Sequence, residues 1–407
     1  MGAAPAVLLP VGLARAQGTT TAALNGLVTD GAGQPVPGAT VVATHLPTNS
    51  IYAMPTNEQG RFNFQNVRVG GPYSVKITAV GSADQTRDNL YLALGQNLRL
   101  DVKLAEQATQ LGTAVVEGRR DAVINSGRTG AATQVTREQI ERLPTINRTL
   151  QDFVRLTPQA SAGAGGGTSF GGSNNRYNNI TIDGAVNNDV FGLSGSGTPG
   201  GQAGTQPIAL DAIQEIQVVV APYDVKLGNF TGGGINAVTR SGTNTFSGSA
   251  YGFWRNQNTI GKSVTEPRVK AAEFSNYFTG LRVGGPLIKD KLFFFVNGEV
   301  ARRGEPVQQV PGTSASLFSV AELNQVRDLL QTRFGYDAGG FGEIVRRTNS
   351  DKLFARLDWN ISDRHQLTLR HNFVDAYDDN LTRSSVNLRL ANNGYVFNST
   401  TNSTVLE

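Results

Sequence analysis

The feature that most constrains the fold of this chain is a regular alternation of apolar and polar residues in its C-terminal part. Four stretches of about ten residues alternate in this way, and their charged residues share one face. A period of two predicts β-strands, and about ten residues is the length of a tilted strand that crosses a membrane. The apolar faces of the four stretches include Tyr277, Leu281 and Val283; Leu292, Phe294 and Val296; Leu353, Leu357 and Trp359; Leu367, Leu369 and Phe373.

The connections between these stretches alternate in length. The segments 284–291 and 360–364 are short turns, whereas 302–350 and 375–393 are long and polar, the first with a predicted internal helix. Short turns on one side and long loops on the other are typical of an outer-membrane barrel, whose charged strand faces line a polar lumen. Trp359 lies beside a short turn, where an interfacial aromatic residue is expected. A soluble β-sandwich would also alternate and remains the alternative for this block.

Composition excludes several classes of function. The 407 residues include no cysteine, which excludes Cys/His zinc sites, thiol catalysis and disulfide frameworks. The 36 basic and 32 acidic residues are dispersed, so the net charge of +4 does not predict nucleic-acid binding. The 48 glycines, with frequent Asn, Ser and Thr, favour strands, turns and polar loops. No apolar run in the sequence approaches 18 residues, so no transmembrane helix is predicted.

The N-terminus carries a processing pattern over residues 1–17. Residues 6–13 are apolar, and Ala14 and Ala16 before Gln17 occupy the positions that a signal peptidase reads. The expected basic start is missing, because Met1 is followed by Gly2 and Ala3. We interpret this segment as a signal peptide with a shortened or misassigned start; an apolar tail without that role is the alternative.

Residues 22–105 predict a small β-sandwich, since short alternating stretches are separated by Gly, Pro, Asn and Asp turns. The strict alternation from Leu98 to Leu104 predicts one half-buried antiparallel strand. A polar linker follows over residues 106–120. It contains a β-prone patch, Thr113, Ala114, Val115, Val116 and Glu117.

Residues 121–242 predict a mixed α/β unit with long glycine-rich loops. A first helix is expected to start at an N-cap, Thr136, and to end before Pro144, and a second spans residues 150–156. A strand over residues 180–182 leads into an Asp183-Gly184 turn, and another covers residues 217–220. Residues 243–407 form the predicted partial barrel.

No residues form a catalytic constellation. His45 is far in sequence from His365 and His371. The latter two are six residues apart on one predicted strand and are predicted to be surface or lipid-facing residues. The glycine-rich segment 163–172 lacks the strand and helix of a phosphate loop. Asp375, Asp378 and Asp379 could form part of a calcium site, but a solvated extracellular loop is the favoured interpretation of these residues. We therefore predict no enzyme, no metal site and no cofactor.

Successive blocks of the chain resemble domains of a known family. Residues 26–75 are similar to a carboxypeptidase regulatory-like domain, an accessory sandwich that implies no peptidase activity. This pattern comprises Gly26, Val28, Asp30, Gly33, Pro35, Val36, Gly38, Ala39 and Val41; Thr56, Asn57, Gly60, Phe62 and Phe64; Gly71, Tyr73 and Val75.

The middle block resembles the plug domain of TonB-dependent outer-membrane receptors of the Oar-like type. Ile182, Asp183 and Gly184 match the strand-and-turn element of the plug, and Ile213, Glu215, Ile216 and Val218 match the strand that follows it. The segment 230–244 is similar to the plug-to-barrel junction. Its motif residues are Gly232, Gly233, Gly234, Asn236 and Arg240.

The resemblance implies a mainly β chain: an N-terminal β-sandwich, a mixed α/β plug, and the first strands of an incomplete transmembrane antiparallel β-barrel. It places the TonB box of the family at Thr113 to Glu117, although an ordinary linker strand is an equally good interpretation of those residues. It further implies a TonB-type partner in the periplasm, contact with outer-membrane lipid, uptake of an unidentified extracellular ligand and a location in the cell outer membrane. A surface adhesin, or an outer-membrane protein that binds a polysaccharide or peptide without active transport, is the alternative. About 165 residues follow Arg240, enough for roughly six to eight strands, so we interpret the chain as a fragment.

Overall fold

The computed structural model describes most of the chain, in three structural units. The described residues are 20–105, 131–145, 147–162, 167–189, 191–220, 228, 230–264, 266–307, 309–312, 316–362, 365–384 and 387–407. The predicted signal peptide and the predicted TonB box lie outside these residues.

The first unit, called the sandwich below, packs two small sheets against each other. Its strands are β1 (Ala22–Thr29), β2 (Thr40–His45), β3 (Ser50–Pro55), β4 (Arg61–Val67), β5 (Gly70–Thr78), β6 (Gln85–Leu92), β7 (Asn97–Arg99) and β8 (Val102–Lys103). One sheet has the order β3-β2-β5-β6, and in the other β1 pairs with β4, β7 and β8. Alternate residues of both sheets, such as Leu24, Val41, Tyr73 and Ile77, are buried between them. The N-terminal β-sandwich was predicted correctly.

One strand of the sandwich differs from the prediction. The stretch from Leu98 to Leu104 is not one antiparallel strand: it is interrupted at Leu100 and Asp101, and both parts run parallel to β1. The Asp101 carboxylate accepts a hydrogen bond from the Leu27 amide (3.0 Å) in the gap between the two parts. The alternation identified the buried face correctly, because Val102 and Leu104 are buried. It carried no information about strand direction, which depends on the partner strand.

The described part of the second unit, called the plug below, contains a five-stranded sheet, a separate two-stranded sheet and two short α-helices. Its elements are β9 (Ala131–Thr136), α1 (Arg137–Arg142), α2 (Gln151–Val154), β10 (Ala160–Ala162), β11 (Thr168–Phe170), β12 (Asn179–Ile182), β13 (Ala185–Val186), β14 (Ile213–Val220) and β15 (Gly233–Thr239). The order of the larger sheet is β13-β12-β15-β14-β9, and β10 pairs with β11 in the smaller one. Thr136 is the N-cap of α1, as predicted, and its amide donates to the Gln139 side chain (2.9 Å) in a capping box.

The third unit, called the barrel sheet below, is a six-stranded antiparallel meander. Its elements are β16 (Ser247–Asn256), β17 (Ser275–Ile288), β18 (Leu292–Pro306), α3 (Val320–Phe334), β19 (Val345–Ser362), β20 (His365–Asn380) and β21 (Tyr395–Leu406). The predicted helix within the long connection is α3. The strands extend beyond the ten residues read from the alternation, to 18 residues in β19. None of the helices that the structure describes combines the length and the hydropathy of a membrane-spanning helix.

The two faces of the barrel sheet have different surroundings. The face that carries Arg356, Asp358 and Arg370 packs on the plug, and these side chains are largely buried. The opposite face exposes Leu353, Leu357, Trp359 and Leu369. This division is expected for a strand between lipid and a filled lumen. Phe295 and Phe354 of the barrel sheet join the apolar core of the plug, so plug and sheet share one core.

Candidate functional site

The plug meets the barrel sheet at a tight turn that carries a buried acid. Asp183 and Gly184 connect β12 to β13, and both have positive φ, 44° and 74°. Asp-Gly is favoured in such two-residue hairpins, because its residues tolerate the left-handed region. The Asp183 carboxylate accepts hydrogen bonds from the Thr239 amide and the Thr239 hydroxyl, both 2.7 Å. The turn thereby fixes an acid with only 3% of its surface exposed at the end of β15.

Two arginines of the barrel sheet face this acid. Arg370 Nε lies 3.3 Å from Asp183 Oδ2, and Arg356 Nη1 lies 3.6 Å from Asp183 Oδ1. Arg370 Nη2 also donates to the Ile182 carbonyl (2.7 Å), and Arg356 Nη1 donates to the Thr239 hydroxyl (2.9 Å). Because each buried charge lies beside an opposite charge, the contact avoids the cost of an isolated buried ion.

The charges continue along the barrel sheet toward the sandwich. The Arg356 guanidinium also binds Asp358, with Nη2 to Oδ1 at 2.8 Å and Nε to Oδ2 at 2.9 Å. The Thr368 hydroxyl donates to the same carboxylate (3.0 Å), and Arg68 of the sandwich lies 4.0 Å from it. This network therefore has members in all three units.

A second ionic cluster ties α1 to the first barrel strands. Glu141 accepts from Arg240 of the plug (2.8 Å) and from Arg282 of β17 (3.4 Å). Arg282 also lies 3.3 Å from Asp211, and Arg240 donates to the Ile213 carbonyl (3.2 Å). Burial raises the pKa of Asp211, although Arg282 and Arg148 oppose that rise. Arg240 directly follows β15 on the way to β16, so this cluster fixes the junction.

The predicted glycine run has a steric role at the start of β15. A Cβ atom on Gly232 would lie 2.4 Å from Asn178 Oδ1, one on Gly233 would lie 2.4 Å from the Phe170 ring, and one on Gly234 would lie 3.0 Å from the Phe230 ring. Asn236 accepts a hydrogen bond from the Thr181 hydroxyl (2.9 Å) between β12 and β15. Of the predicted motif residues, Gly233, Gly234 and Asn236 lie in β15 inside the plug sheet, and Gly232 directly precedes that strand. Arg240 and Asp183 lie where the plug contacts the barrel sheet.

Further contacts hold the long plug loop to the barrel sheet. The Thr205 and Ser350 hydroxyls are 2.5 Å apart, and Asn372 Nδ2 donates to the Pro207 carbonyl (2.7 Å). Arg356, Arg370 and Arg282 were not assigned to a site from the sequence. The only signal in the sequence was a charged residue at alternate positions of a predicted barrel strand, which indicates a lumen face without identifying the partner.

The described residues hold no group of three or more His, Asp or Glu that could bind a metal ion. Asp375, Asp378 and Asp379 do not converge. Asp375 accepts from Thr400, Asp378 accepts from Arg346 and Thr348, and Asp379 accepts from Tyr377. The histidines are separate as well: His45 is buried in the sandwich, while His371 lies on the outer face of β20 beside Thr404.

Three family models match successive parts of the chain. Residues 23–105 match the carboxypeptidase regulatory-like domain, residues 126–235 match the TonB-dependent receptor plug domain, and residues 238–327 match an outer membrane beta barrel domain. The TonB-dependent transporter Oar of Myxococcus xanthus is 28% identical over 279 residues, which are 64% of this chain and 25% of that protein. The chain carries a plug domain of the TonB-dependent receptor type, and the three models and this relative together support a TonB-dependent receptor. The plug and barrel models together place the chain in the cell outer membrane.

The chain spans about a quarter of the length of the curated relative that it matches. Among solved structures, it is similar to the outer membrane transporter YddB of Escherichia coli, with 17% identity and a TM-score of 0.42 over 62% of this chain and 34% of that chain. It is also similar to the ferric enterobactin receptor of Pseudomonas aeruginosa, with 14% identity and a TM-score of 0.43 over the same shares. The domain limits and the roles of the motif residues remain predictions.

Proposed function

We propose that this chain supplies the sandwich, the plug and the first barrel strands of a receptor that imports a ligand with energy delivered from the periplasm. The buried ion pairs between Asp183 of the plug and Arg356 and Arg370 of the barrel sheet carry the proposal. These ion pairs would hold the plug in the lumen, and they can separate without breaking a covalent bond. The plug would close the lumen at rest and move when it is pulled.

The pull would come from a TonB-type protein that binds Thr113 to Glu117. An extended segment can add to a sheet edge of such a partner through main-chain hydrogen bonds, which demand little of the sequence. The segment precedes β9, an edge strand that pairs with β14 in the described plug sheet. Force on β9 would reach β14 and then β15, whose Thr239 holds Asp183. The extracellular ligand would bind the long loops and the plug, and its chemistry is open.

A cysteine cross-link tests the partner and its site. The chain has no cysteine, so Val115→Cys introduces the one thiol within these 407 residues, and any cysteine of the full-length protein outside them is replaced by serine. A TonB-type protein that carries one cysteine beside its receptor-binding strand is expressed in the same cells. We expect a disulfide-linked product with Val115→Cys.

The matched control is Val80→Cys, because Val80 lies fully exposed on the sandwich. Equal cross-linking at both positions, or none at Val115→Cys, would contradict the proposed contact. An adhesin or binding protein without active transport would give that negative result, and it would keep its binding activity when residues 113–117 are deleted.

A further inference from the structure

One face of the plug sheet carries buried polar side chains. Gln134 of β9 and Glu215 and Gln217 of β14 share this face, since Gln134 pairs with Gln217 and side chains alternate along each strand. Glu215 and Gln217 are 5% and 7% exposed. The opposite face carries Ile216 and Val218 and lies in the shared apolar core. A polar face that is buried needs hydrogen-bond partners from another body.

The sandwich supplies these partners from one turn. Between β6 and β7, the Leu94 amide donates to Glu215 Oε1 (3.2 Å). The Leu94 carbonyl accepts from Gln134 Nε2 (2.8 Å) and from Gln217 Nε2 (2.9 Å). The Leu94 side chain is fully buried, and it forms an apolar cluster with Val69 of the sandwich and Val238 of β15. A turn of the sandwich is therefore inserted into the plug surface.

This turn is fixed in shape before it meets the plug. Gly95 has φ 66°, and its amide donates to the Thr21 carbonyl (3.0 Å). The Ala93 amide donates to the Gln96 side chain (2.8 Å), and the Gln96 amide donates back to the Ala93 carbonyl (3.0 Å). A Cβ atom on Gly95 would lie 3.0 Å from Gln217 Nε2. The left-handed φ therefore favours glycine here, and a larger side chain would have to displace the end of Gln217.

The same sandwich also contacts the end of the barrel sheet that carries the short turns. Arg68 donates to the Ser241 hydroxyl (3.3 Å), and the Pro47 carbonyl accepts from the Asn244 amide (2.8 Å). Asn360 Nδ2 donates to the Ser50 hydroxyl (3.1 Å). The short-turn end of such a barrel is the periplasmic end. One compact body therefore bridges the polar face of the plug and the periplasmic rim of the barrel.

We propose that the sandwich is a clamp that holds the plug to the periplasmic rim, and that the turn at Leu94 must leave the plug before the plug can move. This proposal rests on the proposed function, because a clamp has a role in transport only if the plug is displaced during import. It gives the sandwich a regulatory role on the plug itself. While the turn is seated, β9 is held by its ladder with β14 and by the Gln134 contact. Once the turn has left, β9 is an ordinary edge strand.

Two glycine substitutions separate clamping from backbone strain. Gly95→Leu strains a left-handed residue and drives a side chain toward Gln217, whereas Gly81→Leu strains a left-handed residue (φ 81°) with nothing within 4 Å of its Cβ position. Hydrogen exchange of the full-length receptor in nanodiscs is followed by mass spectrometry. We expect β9 amides to exchange at least ten-fold faster in Gly95→Leu and at the wild-type rate in Gly81→Leu.

A second variant covers the case in which Gly95→Leu does not fold. Gln217→Met keeps the side-chain length and removes the donor to the Leu94 carbonyl, so β9 exchange should rise here too, by a smaller factor. The clamp would be overturned if the Leu94 turn becomes exposed in a folded variant while the β9 amides still exchange at the wild-type rate. Exchange requires neither ligand nor energising partner. A failed Val115→Cys cross-link with faster β9 exchange would therefore reject the proposed import and leave the clamp standing.

Discussion

Asp183 is the residue on which the contact between plug and barrel sheet depends most. Its carboxylate is the only acid of the described plug that lies within 4 Å of both Arg356 and Arg370. Without that charge, Arg370 would keep carbonyl acceptors but lose its counter-ion, while Arg356 would keep Asp358. Removing one partner of a buried pair is costly because the other charge stays buried.

We predict that Asp183→Asn lowers the free energy of plug unfolding by about 3 kcal/mol. The measurement is the urea concentration at which the plug of the full-length receptor becomes sensitive to protease. Glu138→Gln is the control, since the Glu138–Arg142 pair is exposed and worth at most about 1 kcal/mol. Similar midpoints for the two variants would show that the ion pairs do not hold the plug.

Glu215 makes the seat of the sandwich turn sensitive to pH. Burial raises its pKa from the ordinary 4.5 to about 7, and the hydrogen bond from the Leu94 amide opposes the rise in part. The folded receptor therefore binds a proton more tightly than the unfolded chain. The contribution of Glu215 to the free energy of unfolding is therefore fully present below pH 4.5. It falls as the pH rises toward 7, by up to about 1.4 kcal/mol per pH unit.

The prediction is that Glu215→Gln flattens this slope, because the variant side chain does not titrate. Protease sensitivity in urea, measured at several pH values between 4.5 and 7, gives the slope for both proteins. The control is Glu138→Gln, whose wild-type residue lies on the exposed face of α1, and it should keep the slope. A slope that survives in Glu215→Gln would assign the pH dependence to another group.

At the scale of elements, strand β15 combines burial with close packing. All seven of its residues are buried, and its first residue, Gly233, faces the Phe170 ring. We predict that Gly233→Ala destabilises the plug by roughly 1–3 kcal/mol, because the ring or the strand must shift. Gly252→Ala on β16 is the control, since nothing lies within 4 Å of its Cβ position. Equal urea midpoints for the two variants would mean that Phe170 turns aside at little cost.

Elements were predictable where one chemical pattern decides them. The alternation in the C-terminal part identified strands β17 to β20, and the Thr136 cap identified the start of α1. The parallel pairing of β7 and β8 with β1 was missed, because alternation reports which face is buried and not which strand lies alongside. Strand lengths were underestimated for a related reason: the long strands continue past the apolar band into polar residues, where the pattern fades.

At the scale of the whole molecule, the sequence located one half of each contact. Asp183 and Arg240 were singled out within plug motifs, but their partners are distant in sequence, Arg370 for the first and Glu141 and Arg282 for the second. Only the fold brings these charges together. The seat of the sandwich was hidden for the same reason. Leu94 reads as one more apolar residue of a sandwich, although its apolar partner in the plug is Val238.

The two units joined at Leu94 are also joined covalently, through residues 106–130 of the same chain. A turn that has left its seat therefore stays tethered to the plug. Rebinding of a tethered group is a unimolecular step with an effective concentration of the order of millimolar for short linkers. A clamp with such a tether resets itself after each cycle, and its closing rate is independent of the number of receptors in the membrane.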